Sequence, residues 1–118
     1  MPLIQVDLSR ELFEASHDAI GHAIHDAQTE ALGIPSNDRF QVFRPHGPGE
    51  LKFDETYNDV ERRDLMLIHV TAVHMYPVAT KRRFFETVTD KLEPLGIRRE
   101  DVLICLAENG FEDWWAGR

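Results

Sequence analysis

One short pattern decides the fold because it occurs twice: Leu32-Gly33-Ile34-Pro35-Ser36-Asn37-Asp38 and Leu95-Gly96-Ile97-Arg98-Arg99-Glu100-Asp101. In both copies a Leu-Gly pair ends an apolar pattern of helical spacing, and glycine readily adopts the left-handed conformation that closes a helix. In both copies the aspartate opens an apolar run typical of a strand. A repeated helix-to-strand junction indicates a chain built from one unit written twice.

Amphipathic helices are predicted before both junctions. In the first half, apolar residues recur at helical spacing from Leu12 to Ala31, and Ser9 is available as the amino-terminal cap. In the second half the same spacing runs from Val78 to Leu92, and Pro77 is suited to the first helical turn, where its missing N–H costs nothing.

A strand candidate precedes each helix, Leu3 to Asp7 in the first half and Leu65 to Val73 in the second. The predicted fold is therefore an α/β (α+β) arrangement, a tandem β-α-β repeat in one domain over residues 1–118, with pseudo-repeats at about 2–44 and 64–107. Right-handed crossovers make the strands of each half parallel, and the halves pair into a four-stranded sheet with two helices on one face. The uncovered opposite face predicts an oligomer.

The segment from Arg44 to Arg63 joins the two halves and is rich in proline, glycine and charge. This composition predicts a surface loop, with a short hairpin as the alternative. The single cysteine, Cys105, excludes a disulfide within the chain, and its apolar neighbours predict that it fills the core.

Composition narrows the function classes. A hydrophobic share of 42% and a charged share of 29% are typical of a globular domain. A net charge of −8 argues against nucleic acid and anionic membrane surfaces as partners. Neither a membrane-spanning run nor a secretory signal is recognisable, so the sequence predicts a cytoplasmic protein.

The second residue carries the first chemical hypothesis. Removal of Met1 would expose Pro2 as a secondary amine, whose ordinary pKa near ~7.7 to 8 falls on burial and rises beside anions. The ring fixes the direction of the nitrogen, so Pro2 could act as a preorganised base or acid. Many proteins that begin Met-Pro make no use of the proline, and this alternative stays open from position alone.

Several segments together resemble the tautomerase superfamily, and within it the malonate semialdehyde decarboxylase branch. They span almost the whole chain: Pro2-Leu3-Ile4, Leu32-Gly33-Ile34-Pro35 through Asp38-Arg39-Phe40-Gln41, Pro48-Gly49-Glu50-Leu51, and Glu108-Asn109 through Asp113-Trp114 to Gly117. The resemblance implies the fold of macrophage migration inhibitory factor, a homotrimer, no cofactor, no metal, and a small carboxylate substrate bearing a carbonyl, enol or vinyl group. It also implies that Pro2 is catalytic and works with Asp38.

The sequence departs from this branch at the substrate anchor. The paired arginines after the third strand of the decarboxylase align with His74 and Tyr76, and neither side chain reproduces the planar fork of arginine. Arg39 is a further predicted substrate contact, and Trp114 matches an aromatic that lines the family's pocket. The missing arginines favour keto-enol tautomerisation over decarboxylation, hydration or dehalogenation of three-carbon acids, and leave a non-catalytic trimeric binding protein as the alternative.

The histidines of the first helical pattern suggest a rival metal site. His22 and His25 are expected on the polar face, opposite the apolar stripe, and His17 at its rim. Solvated histidines are the favoured interpretation, and no zinc is predicted. The run Lys81-Arg82-Arg83 is expected to be the exposed side of the second helix.

Overall fold

A computed structural model describes residues 1–73 and 75–118. Its helices and strands follow the predicted β-α-β, β-α-β order: β1 (Leu3–Ser9), α1 (Arg10–Leu32), β2 (Gln41–His46), β3 (Met66–Ala72), α2 (Val78–Leu92) and β4 (Val102–Glu108). The described loops add single-turn 3₁₀ helices at Tyr57–Asp59, Glu93–Leu95, Arg99–Asp101 and Phe111–Asp113.

The helix ends follow the sequence signals. The Ser9 hydroxyl accepts the Leu12 N–H at 3.2 Å, which caps α1 as predicted. Gly33 closes α1 with a φ of 70°, and Gly96 closes the turn after α2 with a φ of 84°, a region that disfavours residues with a Cβ. Pro77 stands one residue before α2, as its cap, and not in its first turn.

The sheet confirms the predicted architecture. Its strand order is β2-β1-β3-β4, with β1 parallel to β2, β3 parallel to β4, and β1 antiparallel to β3. Alternate residues of β1 and β3 are fully buried against both helices, which therefore cover the same face. This core joins the apolar sides of strands and helices: Ile4, Val6, Leu8, Ile20, Ile24, Met66, Ile68, Val70, Phe84, Val88 and Leu92.

Two boundaries differ from the sequence expectation. Neither repeat aspartate lies in a strand, because Asp38 precedes β2 by a short extended segment and Asp101 ends a 3₁₀ turn. The linker begins at Gly47, since β2 continues through Pro45 to His46. Proline is tolerated there because β2 is an edge strand. No strand, and so no hairpin, forms in residues 47–63.

The face of the sheet turned away from the helices is open in the single chain. Val42 and Leu103 on the two edge strands are 44% and 42% exposed. Cys105 is also exposed on this face, so the expectation that it fills the core is wrong for the protomer. No helix formed by residues 1–73 and 75–118 is long and apolar enough to span a membrane.

A buried carboxylate organises one end of the open face. Asp7 is 8% exposed and accepts hydrogen bonds from Arg44 Nε at 3.0 Å, Arg44 Nη2 at 2.9 Å and His46 Nε2 at 2.7 Å. Burial on its own would raise the pKa of Asp7, but the hydrogen bonds and positive charge of Arg44 and His46 outweigh it and lower this pKa.

This cluster predicts an acid-sensitive part of the stability. A lowered carboxyl pKa stabilises the fold above the unfolded value of about pH 4, and the contribution is lost as pH falls through the folded pKa. Asp7→Asn is expected to lower the free energy of unfolding by about 1–3 kcal/mol at neutral pH. Urea titrations at neutral and acidic pH measure both effects; a wild-type and variant difference that does not shrink in acid would contradict the assignment.

Candidate active site

One edge of the sheet gathers most of the predicted site residues. The strands β1 and β2 begin there, whereas β3 and β4 end there. The Ile4 N–H donates to the Phe40 carbonyl at 3.0 Å, and the Asn109 N–H donates to the Ala72 carbonyl at 2.9 Å. The amino terminus, the segment before β2, the loop after β3 and the carboxyl-terminal segment therefore lie side by side.

The amino terminus meets Asp38 at this edge. The ammonium nitrogen of Met1 lies 3.2 Å from Asp38 Oδ2, and the Asp38 side chain is 23% exposed. Pro2 is buried immediately behind Met1. From standard bond lengths the Pro2 nitrogen lies within roughly 7 Å of the same carboxylate. The structure thus brings the predicted catalytic pair, Pro2 and Asp38, to one place.

Tyr76 approaches the pair from the loop after β3. Burial raises the pKa of its phenol, and the negative charges of Glu108 and Asp38 raise it further. The hydroxyl therefore stays protonated through the physiological range. A protonated phenol close to Asp38 is a hydrogen-bond donor for an oxygen on a bound molecule.

Glu108, the last residue of β4, holds the Tyr76 segment in place. Its Oε2 accepts the Tyr76 backbone N–H at 2.7 Å, and its Oε1 lies 2.5 Å from Lys81 Nζ. The hydrogen bond and charge of Lys81, with the Tyr76 N–H, lower the pKa of Glu108 against its desolvation. Lys81 is therefore half-buried in an ion pair and not simply part of an exposed run, whereas Arg82 and Arg83 are exposed as predicted.

Two hollows meet at Met1. One of about 370 Å³ is lined by Met1, Pro2, Leu3, Phe40, Trp114, Trp115 and Ala116. The other, of about 460 Å³, is lined by Met1, Leu32, Gly33, Ile34, Pro35, Met75, Tyr76 and Pro77. The first is apolar and the second includes the phenol. Met1 lines both hollows, and Pro2 lines the first.

Trp114 is fixed by its indole. Its Nε1 donates to Asn109 Oδ1 at 2.6 Å, so the ring forms a defined wall of the apolar hollow. The neighbouring Trp115 is 80% exposed. The sequence analysis identified Trp114, but it did not identify Phe40, which lines the same hollow.

Arg39, a predicted cationic contact, is not brought to this place. Its Nε and Nη2 donate to Gln41 Oε1 of β2 at 3.2 and 3.1 Å, and its Nη1 lies 3.5 Å from His22 Nδ1 of α1. The prediction for His74 falls outside the described residues.

The histidine prediction needs one correction. His25 is not on a solvated face: it is 7% exposed, and its Nε2 lies 2.6 Å from the Ser36 carbonyl oxygen. The loop between α1 and β2 covers it, which helical periodicity alone does not indicate. Among residues 1–73 and 75–118, no group of three or more histidine, cysteine or acidic side chains is arranged to hold a metal ion.

The doubled β-α-β sheet, with Pro2 and Asp38 at one edge, defines a protein of the tautomerase class. A family model described as "tautomerase enzyme" matches residues 38–117, and the chain belongs to this family of enzymes. A curated relative, probable tautomerase YusQ of Bacillus subtilis, is 34% identical over 99% of this chain and 94% of its own length.

Solved structures agree with this assignment. FG41 malonate semialdehyde decarboxylase, inhibited by 3-bromopropiolate, is 34% identical with a TM-score of 0.91, covering 98% of this chain and 89% of that one. A second malonate semialdehyde decarboxylase, described with decarboxylase and hydratase activities, is 32% identical with a TM-score of 0.90, covering 98% and 91%. The predicted resemblance to this branch is confirmed.

Proposed function

We propose that this chain is an amino-terminal-proline-dependent tautomerase that moves a proton between the keto and enol forms of a small oxo-carboxylate. The observation that carries the proposal is the ion pair of 3.2 Å between the amino terminus and Asp38, at a place flanked by two hollows. Once Met1 is removed, the secondary amine of Pro2 would become the terminal group beside this carboxylate.

The carboxylate favours the role of a general acid for Pro2 in ketonisation. An anion nearby raises the pKa of an amine, which favours the ammonium form of Pro2. In ketonisation the ammonium gives its proton to the enol carbon, while Asp38 takes the proton of the enol hydroxyl. The O–H electron pair becomes part of the new C=O bond, and the C=C pair forms the new C–H bond. A proton passing from Asp38 to Pro2 restores both groups, and neither group is consumed.

Substrate contacts come from the walls. The Tyr76 hydroxyl would donate to the oxygen that changes between enol and carbonyl, and Trp114 would pack against the carbon skeleton. His74 and Arg39 are the predicted cationic contacts for the carboxylate. Arg39 would have to leave Gln41 and His22 to reach an anion beside Pro2.

An enol-conversion assay of the wild type tests the proposed activity, and the same assay of Tyr76→Phe tests the role of the Tyr76 hydroxyl. Wild-type protein is expected to convert enol-pyruvates to their keto forms, and the conversion is measured as the loss of enol absorbance. The variant is expected to lose about tenfold in kcat with little change in KM, since one hydrogen bond worth about 1.4 kcal/mol in the transition state is removed. Enol conversion no faster than buffer by the wild type would refute the tautomerase proposal.

Decarboxylation is the second candidate, and the likeness to two malonate semialdehyde decarboxylases favours it. It requires firmer anchoring of the substrate carboxylate, and Lys81, which reaches the Tyr76 segment through Glu108, is held in an ion pair with Glu108. Hydration or dehalogenation of three-carbon acids has the same requirement. Release of CO₂ from malonate semialdehyde, at a rate exceeding enol conversion, would replace the first candidate by this one.

The open sheet face supports a homotrimer as the working form. Val42, Leu103 and Cys105 are exposed on it in the single chain, and apolar sheet faces are normally covered. The alternative is a trimeric binding protein without catalytic activity, and the enol assay distinguishes it from an enzyme. Cytoplasmic location is also a proposal, which cell fractionation tests.

A further inference from the structure

Two buried polar side chains of α1 contact the loop that carries Asp38. His25 is 7% exposed and Gln28 is 1% exposed, although both lie among the apolar residues of the core. His25 Nε2 lies 2.6 Å from the Ser36 carbonyl oxygen, and Gln28 Nε2 donates to the Asp38 carbonyl at 3.0 Å. These contacts tie the loop to the helix at two places.

The hydrogen bonds fix the orientation of both side chains. Because a carbonyl oxygen only accepts, His25 must carry its proton on Nε2, and Gln28 must direct its amide nitrogen towards Asp38. The same nitrogen lies 3.3 Å from His25 Nδ1, which is then free to accept from it. Each side chain therefore holds the other in the orientation that the loop requires.

Gln28 anchors the connection from both its backbone and its side chain. Its carbonyl oxygen accepts the N–H of Gly33, which closes α1, and that of Ile34 at 3.4 Å. Asp38 is fixed further by its own N–H, which donates to the Pro35 carbonyl at 3.0 Å. The loop that leads to Asp38 is thus held at its start, its middle and its end.

Packing alone does not account for Gln28. Its Oε1 is buried with no hydrogen-bond partner among the described residues. Such an orphaned acceptor costs about 1–3 kcal/mol, and an apolar side chain of the same length would avoid the cost. The gain that offsets this cost is the bond to Asp38.

We propose that His25 and Gln28 are positioning residues, which hold the Asp38 loop against α1 and so fix the Asp38 carboxylate beside the amino terminus. The inference rests on the proposed role of Asp38 as partner of Pro2. It adds two residues that touch neither Pro2 nor the two hollows. They act only through the place that they give to Asp38.

Gln28→Met removes the donor and the orphaned oxygen while keeping the length of the side chain. We expect kcat to fall about tenfold, because a displaced catalytic group costs rate steeply, while KM changes by less than about twofold. The free energy of unfolding should change little, because relief of the orphaned Oε1 offsets the loss of the donor to the Asp38 carbonyl and His25 Nδ1. A structural role would instead lower stability and activity together, and that result would overturn the proposal.

Paired variants of His25 sharpen the test. His25→Gln retains a donor for the Ser36 carbonyl and should keep most of the activity, whereas His25→Leu should lose about tenfold. His17→Leu is the matched control, because His17 Nδ1 lies 2.9 Å from a backbone carbonyl of the same helix, that of Phe13, far from the Asp38 loop. Equal losses in the His17→Leu and His25→Leu variants would overturn the proposal.

The decisive experiment measures coupling to Asp38. In an Asp38→Asn background, Gln28→Met should change kcat by less than about twofold, since coupled residues are not additive. In the presence of Asp38, Gln28→Met should lower the pKa of the Pro2 amine. This pKa is measured by ¹⁵N NMR on protein from which Met1 has been removed. An unchanged amine pKa, or a tenfold loss that persists in the Asp38→Asn background, would overturn the proposal. The titration needs no turnover, so it still tests positioning if the Pro2→Ala variant shows the proposed function to be wrong.

Discussion

Replacing Pro2 by alanine is expected to lower kcat about 100-fold, the contribution of a well-placed general acid or base. Alanine retains an amine after removal of Met1, but it loses the ring that fixes the direction of the nitrogen. The substitution changes neither Asp38 nor the other residues that line the two hollows. The loss therefore belongs to the proline nitrogen and not to the surrounding pocket.

The measurement is the turnover of enol-pyruvates by the two proteins, with intact mass confirming that both have lost Met1. Pro94→Ala is the matched control, because Pro94 lies in the 3₁₀ turn after α2 and has no contact with the amino terminus. It should retain wild-type kcat. Full turnover by Pro2→Ala would remove the proline from the mechanism.

Asp38→Asn is expected to lower kcat by a similar factor, about 100-fold, because asparagine does not accept a proton from the enol hydroxyl. The substitution also removes the anion beside the amino terminus, which lies 3.2 Å away in the ion pair with Met1. The pKa of the Pro2 amine should then fall. Since the ammonium is the proposed acid, the alkaline loss of kcat/KM should begin at correspondingly lower pH.

Asp101→Asn provides the control from the other half of the repeat. Asp101 is 5% exposed and accepts the backbone N–H of Arg63 at 2.7 Å and of Asp64 at 3.3 Å. These hydrogen bonds hold the end of the linker in place. Asp101→Asn should therefore lower the free energy of unfolding and leave the alkaline limb of the kcat/KM profile unchanged. If the alkaline limb of the kcat/KM profile shifts equally in Asp38→Asn and Asp101→Asn, or in neither, the role given to Asp38 is contradicted.

The repeated junction was sufficient to predict the architecture. Gly33 and Gly96 mark the ends of the helical segments, and the apolar alternation of β1 and β3 determines which sheet face the helices cover. The same repeat does not say what each aspartate does. Asp38 pairs with the amino terminus, whereas Asp101 caps the linker, because different segments pass beside the two junctions.

The errors have a common physical cause. Helical periodicity places His25 on a polar face, but the loop that follows α1 folds back and covers it. The apolar run around Cys105 predicts a buried side chain, but Cys105 lies exposed on the sheet face that the helices do not cover. The position of Arg39 also depends on tertiary packing, because its guanidinium reaches Gln41 and His22, and its contact with the substrate stays a prediction. Such contacts depend on tertiary packing.

Catalysis should begin only when Met1 is removed and the Pro2 nitrogen becomes a free secondary amine. Protein that retains Met1 can be treated with a methionine aminopeptidase, with intact mass and enol turnover followed in the same samples. The account predicts turnover in direct proportion to the processed fraction and none at zero processing. Full turnover by protein whose Pro2 nitrogen is still bonded to Met1 would contradict it.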